Sequence, residues 1–97
     1  MIAPEQCQSM SEVRAGVDAL DQQIVDLLAT RFRFMVAAAR IKPERAHVRD
    51  EERKAAVLDH VRSAAAALGA PTDAIVGLYD QLVEASIAYE FEEFDGR

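Results

Sequence analysis

Two cations lie on the apolar seam of a long helical segment, and a third stands near its start. Between residues 9 and 42 the apolar positions Val13, Val17, Leu20, Ile24, Leu27, Phe34, Ala38 and Ile41 recur at three, four or seven residues, which is one stripe of an α-helix. Stepping on from Ile24 and Leu27 puts Arg31 on that seam, and Lys42, eleven residues later, falls within ~20° of the same face. A lone Arg in such a place commonly snorkels or pairs with a carboxylate at the core edge. Two cations on one line, with no acidic partner on that helix face, shift the balance towards a bound anion. Arg14 lies about 25 Å along the axis and about 100° around it from Arg31, too far for one small ligand on one straight helix. A second copy packed antiparallel brings Arg14 to the Arg31 and Lys42 end, with two equivalent sites per twofold dimer.

A second anomaly sits in the last third of the chain, where Leu82, Ser86 and Glu90 step by four and place a hydroxyl and a carboxylate on an apolar line. Glu90 reads equally well as part of a solvated acidic tail with Glu92 and Glu93. Three cations and a few hydrogen-bonding groups inside an apolar helical cage suit a small dianionic organic acid, with arginine gripping carboxylates in bidentate fashion. Other chemistries lack their parts. Cys7 has no nearby His to serve as base, His47 and His60 lack metal-ligand spacing and read as solvent-facing, and no Gly-rich phosphate loop occurs. A net charge of −6 without a dominant Lys/Arg cluster argues against nucleic acid. No apolar run reaches membrane-spanning length and no signal-peptide pattern opens the chain, so the expectation is a cytoplasmic protein with no membrane partner.

The elements that must position these residues follow from composition and punctuation. Ninety-seven residues, 51% apolar and 29% charged, describe a single domain over 1–97 with one core, and a lone cysteine supplies no internal disulfide. Pro4, Pro43 and Pro71 separate segments of helical periodicity, so the chain is expected to be all-α with three helices. Ser9 and Glu12 spell a capping box at the start of the first, and Pro43 ends it at or just before Lys42. That helix measures roughly 50 Å, longer than a compact chain of this size, so a partner must cover its ends. Gly16 inside it costs about 1 kcal/mol against Ala, and the expectation is that it marks a close helix contact. A polar loop over 43–48 leads to a helix from near Asp50 to Leu68, stopped by Gly69. A third helix begins near Pro71 to Asp73, with Ile75, Leu78, Tyr79, Leu82, Val83 and Ile87 on its apolar face. Its acidic end, Glu90 to Asp95, opposes the helix dipole and is expected to fray.

Taken in order, Arg14 in SerGluValArg, Asp18 and Asp21 in ValAspAlaLeuAsp, Arg31 in LeuAlaThrArg, Lys42 after AlaAlaAlaArgIle, ValArgAsp at 48–50, Arg53, and GluAlaSer followed by Glu90 form a set. The set resembles the all-α class of chorismate mutases and the related isochorismate pyruvate lyases, over nearly the whole chain. The resemblance implies an intertwined homodimer of three-helix chains that binds chorismate-like dicarboxylates without cofactor or metal. It implies that Arg14 comes from the partner chain and binds one carboxylate, that Arg31 binds another, and that Lys42 contacts a carboxylate and the ether oxygen. Arg53 and Ser86 would line the site, Asp50 would help hold the ring hydroxyl region, and Glu90 would meet the ether oxygen.

Two departures bear on the reaction. Many bacterial members carry Gln where Glu90 stands, and a carboxyl group donates to an ether oxygen only when protonated. Lys54 stands where mutases commonly carry a Glu that accepts from the ring hydroxyl of chorismate; a charged Lys cannot accept, and it would repel an amino group. Isochorismate carries its hydroxyl elsewhere, so Lys54 fits a lyase better. The opening Pro4 to Cys7 and the loop length after Lys42 look like the lyase branch, whereas Asp50 and Ser86 look like the mutase branch. Rearrangement of chorismate to prephenate stands first, elimination of isochorismate to salicylate and pyruvate second, and a non-catalytic helical binding module is the alternative of another class.

Overall fold

The computed structural model describes residues 2–97, and every element among them is helical. A 3₁₀ turn over Pro4–Gln6 precedes α1 (Met10–Ile41); a second turn over Arg45–His47 leads to α2 (Glu51–Ala67) and α3 (Thr72–Asp95). The fold is all-α with three helices, as the proline spacing predicts. Two compact units emerge, one over Met1–Arg33 and one over Phe34–Arg97.

In the first unit Ser9 opens α1. Its Oγ accepts from the Glu12 amide at 3.2 Å. The Glu12 carboxylate accepts from the Ser9 hydroxyl at 3.2 Å and from the Gln8 amide at 3.4 Å, one residue upstream of the amide that a standard capping box would use. Within this unit the apolar stripe of α1 is largely exposed. Val17, Leu20 and Ile24 are all exposed, and Leu27 is 70% exposed. Near the start of the helix, Gly16, Val13, Val17 and Leu20 line an apolar groove of about 410 Å³ together with Ile2, Ala3, Pro4 and Cys7. Cys7 is half-buried, with its thiol donating to the Ala3 carbonyl at 3.7 Å.

The second unit holds the core. Val48, Val83 and Ile87 are buried together, with Val57, Tyr79, Phe91 and Phe94 packed around them. Val48, expected in a polar loop, is 3% exposed, because the 3₁₀ turn before it folds the loop onto α3. Asp50 caps α2, its carboxylate accepting from the Arg53 amide at 3.0 Å. At the other end Ala70 N–H bonds the Ala65 carbonyl at 2.9 Å and Gly69 N–H bonds that of Ala66 at 3.1 Å. This is a Schellman closure, for which Gly69 adopts φ +69°.

The expected fraying of α3 is absent: the helix is regular through Asp95 and closes on Gly96. The physical reason is local neutralisation. Arg45 bonds Asp95 through Nε at 2.9 Å and Nη2 at 3.3 Å, and Arg97 stacks over Phe94 with its guanidinium carbon 3.9 Å from the ring centroid. Cations brought to the end of the helix offset the unfavourable dipole interaction of its acidic residues.

Candidate functional site

Lys42 follows the last turn of α1, and its side chain reaches α3. Its Nζ donates to Glu90 Oε2 at 3.1 Å and lies 3.0 Å from Oε1. The two partners differ in environment: the Glu90 side chain is 4% exposed and that of Lys42 31%. Glu90 therefore does not belong to the solvated tail with Glu92 and Glu93; the period of α3 turns it inward, one helical turn beyond Ser86. The helix face of α1 itself offers Lys42 no acidic partner; the carboxylate comes from α3. The partner lies on another helix, 48 residues away, where the periodicity of α1 does not reach.

Ser86 is buried, its hydroxyl donating to the Leu82 carbonyl at 2.7 Å. This back-bond orients the hydroxyl on the apolar line of α3. Asp50 and Arg53 are both exposed at the start of α2, joined by the capping bond. In the first unit, Arg14 is exposed and Arg31 half-buried on α1. Lys42 and Glu90 are thus brought into contact, with Ser86 on the same stretch of α3, while Asp50 and Arg53 mark the head of α2.

Lys54 is held by α3. Its Nζ lies 3.0 Å from Asp80 Oδ1 and 2.9 Å from Glu84 Oε2. Glu84 also takes a fork from Arg49, with Nη2 at 2.9 Å and Nη1 at 3.2 Å, and Arg49 Nη1 bonds Glu51 at 2.9 Å. The hydrogen bonds from Arg49 and then Lys54 hold the Glu84 carboxyl down at about 2, and those from Glu84 and Asp80 push the Lys54 ammonium above its ordinary range. Lys54 is therefore a paired ammonium and not the lone repulsive charge that its position suggests. Asp80 is absent from the sequence-based set, and Arg49 and Glu84, present in ValArgAsp and GluAlaSer, carry no role of their own there. The signal was there: Asp80 and Glu84 stand four apart on one face of α3, a like-charge pair that disfavours a helix unless cations oppose it.

His47 is exposed, 3.9 Å from Glu44, and His60 is exposed on α2. Among the described residues no group of three or more His, Cys, Asp or Glu could hold a metal ion, and no described helix is long and apolar enough to cross a membrane.

Comparison with known proteins bears on this geometry. The family Chorismate mutase type II matches residues 13–91, a span that runs from the stripe of α1 to just past Glu90. Among curated proteins, the chain is similar to an isochorismate pyruvate lyase of Pseudomonas aeruginosa, 30% identical over 92 residues, covering 95% of this chain and 91% of the relative.

Proposed function

From the premise that this chain belongs to the chorismate mutase type II family, we propose that it rearranges chorismate to prephenate. The observation that carries the reading is the contact of Lys42 with a buried Glu90, one turn beyond a buried Ser86. A [3,3] rearrangement breaks an ether C–O bond as a C–C bond forms and needs no base, nucleophile or covalent intermediate. It needs a flexible dianion held in a compact chair, and positive charge where the breaking bond turns negative. Lys42 supplies that charge at the ether oxygen. Glu90 adds a donor there in its protonated form and, when ionised, competes with substrate for the Lys42 ammonium.

Arg14 and Arg31 enter the reading from the sequence, as the carboxylate grips, with Arg14 contributed by a second copy in a homodimer. The apolar stripe of α1 supports the dimer, since Leu27 and Phe34 on it are 70% and 67% exposed. Arg53 and Ser86 line the site, and Asp50 helps hold the ring hydroxyl region. With a protein charge of −6 the global field opposes a dianion, so the local cations must outweigh it at short range.

Elimination of isochorismate to salicylate and pyruvate is the second reading. It is favoured by the similarity to the Pseudomonas aeruginosa lyase and by Lys54, which is pinned to Asp80 and Glu84 and offers no acceptor to a ring hydroxyl. Both reactions break an ether C–O bond, so the same Lys42 charge serves either. The test is to incubate purified protein separately with chorismate and isochorismate and identify products by chromatography. Prephenate from chorismate supports the mutase; salicylate with pyruvate, from isochorismate alone, moves the assignment to the lyase. Turnover of neither refutes both and leaves a non-catalytic helical binding module.

A further inference from the structure

Pro43 leaves a gap in the hydrogen bonding of α1. An α-helical carbonyl accepts from the amide four residues on, and for Ala39 that residue is Pro43, which has no N–H. Ala39 is 2% exposed, so water does not readily take the place of the missing donor. The donor comes from beyond the far end of α3: Arg97 Nη1 bonds the Ala39 carbonyl at 2.9 Å and the Lys42 carbonyl at 2.6 Å, and Nη2 reaches that of Pro43 at 3.4 Å. One guanidinium thus closes the C-terminus of α1, where the dipole favours a cation and the short contact to Lys42 is charge-assisted. It is itself held flat against Phe94.

A second prong lies three residues along. Arg45 bonds Asp95 in a fork and packs over Phe91 at 4.4 Å, while Val48 enters the core. The segment from Lys42 to Val48 is therefore fixed to α3 at successive points, and Lys42 is tied to that helix twice, by its backbone carbonyl to Arg97 and by its ammonium to Glu90. We infer that Arg97 is a positioning residue for Lys42: by gripping the Lys42 and Ala39 carbonyls it sets where the Lys42 ammonium is presented. This rests on the reading above, in which that ammonium faces the breaking C–O bond. Arg97 touches no substrate in this scheme and acts through the Lys42 backbone.

The experiment compares wild type, Arg97→Ala, Arg97→Lys and Lys42→Met, assayed on chorismate and isochorismate well below their unfolding temperatures. A cation misplaced by about 1 Å costs up to about a hundredfold, so Arg97→Ala is expected to lower kcat about tenfold or more while KM changes much less. Arg97→Lys, with one charged point in place of a planar fork, recovers part of the loss. A second readout needs no turnover: the ¹³C signal of the Glu90 carboxyl, which senses the ammonium beside it, moves in Arg97→Ala in the same direction as in Lys42→Met. A merely structural anchor lowers the melting temperature and leaves kcat and the Glu90 signal at wild-type values, and that result overturns the proposal. If wild type turns over neither substrate, the functional reading fails and the Glu90 signal alone decides the positioning role. Should Arg97→Ala not fold, Arg97→Lys carries both readouts, and wild-type behaviour in it overturns the proposal.

Discussion

The two ends of the Lys42–Glu90 pair should respond very differently to removal. In Lys42→Met the ammonium is lost and Glu90, with a side chain 4% exposed, keeps a buried carboxylate without its cation. Stranding a buried charge costs about 3–5 kcal/mol. In Glu90→Gln the ammonium stays, but its side chain is 31% exposed, so it turns to water while the amide oxygen still accepts from it. That loss falls near the range for exposed pairs, about 1 kcal/mol or less. For a domain of this size about 1 kcal/mol shifts the melting temperature by about 4–8 °C, so Lys42→Met should melt at least about 12 °C below wild type and Glu90→Gln within about 8 °C of it. The double variant, with no charge left to strand, should recover most of the Lys42→Met deficit. The assay is thermal unfolding followed by circular dichroism at pH 7.5 and one fixed protomer concentration, since association would stabilise the chain by mass action. Equal losses in the two single variants, or a double variant no better than Lys42→Met, would refute the claim that burial makes the pair asymmetric.

Three further outcomes follow from the same structure. Because an amide donates to an ether oxygen and a carboxylate does not, Glu90→Gln should turn over substrate at pH 7.5 at least as fast as wild type; a tenfold or greater loss of kcat counts against a donor role at this position. Glu84 is held at about 2 against an ordinary 4.5, so its pairing with Arg49 and Lys54 contributes fully above about pH 4.5 and is lost as pH falls towards 2. Glu84→Gln should therefore lower the melting temperature at pH 7 slightly and not at pH 2, which a melting series over that window checks. At the glycines, Gly69→Ala should destabilise by about 1 kcal/mol because φ is +69°. Gly77→Ala, inside α3 with open space around an added methyl, should stabilise by about 1 kcal/mol, and denaturant midpoints of the two variants should move in opposite directions.

Much of the backbone was legible because its punctuation is local. Pro43 and Pro71 fall at helix boundaries, Ser9 and Asp50 cap, and Gly69 takes the left-handed turn that only a residue without Cβ adopts freely. The end of α3 was misread for the same reason. Four acidic residues against a helix dipole predict fraying when only neighbours in sequence are considered, and Arg45, fifty residues from Asp95, is not a neighbour until the loop folds back. Val48 was read as loop for the same cause, its burial being decided by Val83 and Ile87 on another element.

Candidate site residues announced themselves as violations. A cation or carboxylate on an apolar stripe is conspicuous, which is how Lys42, Ser86 and Glu90 came to notice and why the latter two prove buried. Residues that obey local rules give no such signal. Asp80 and Glu84 look like ordinary surface charges until α2 and α3 pair, and Arg97 looks like a polar residue in solvent until its fork is seen on three carbonyls. The distinction has a physical basis. A polar group in an apolar line must recover its desolvation cost from a ligand or partner, so it marks a site from either side of the contact. A positioning residue works from solvent and carries no such cost, so only the folded chain reveals which backbone it grips. That Arg97 grips the one α1 carbonyl deprived of its amide by Pro43 joins the two classes: the proline that ends the helix at Lys42 also creates the acceptor by which Lys42 is held.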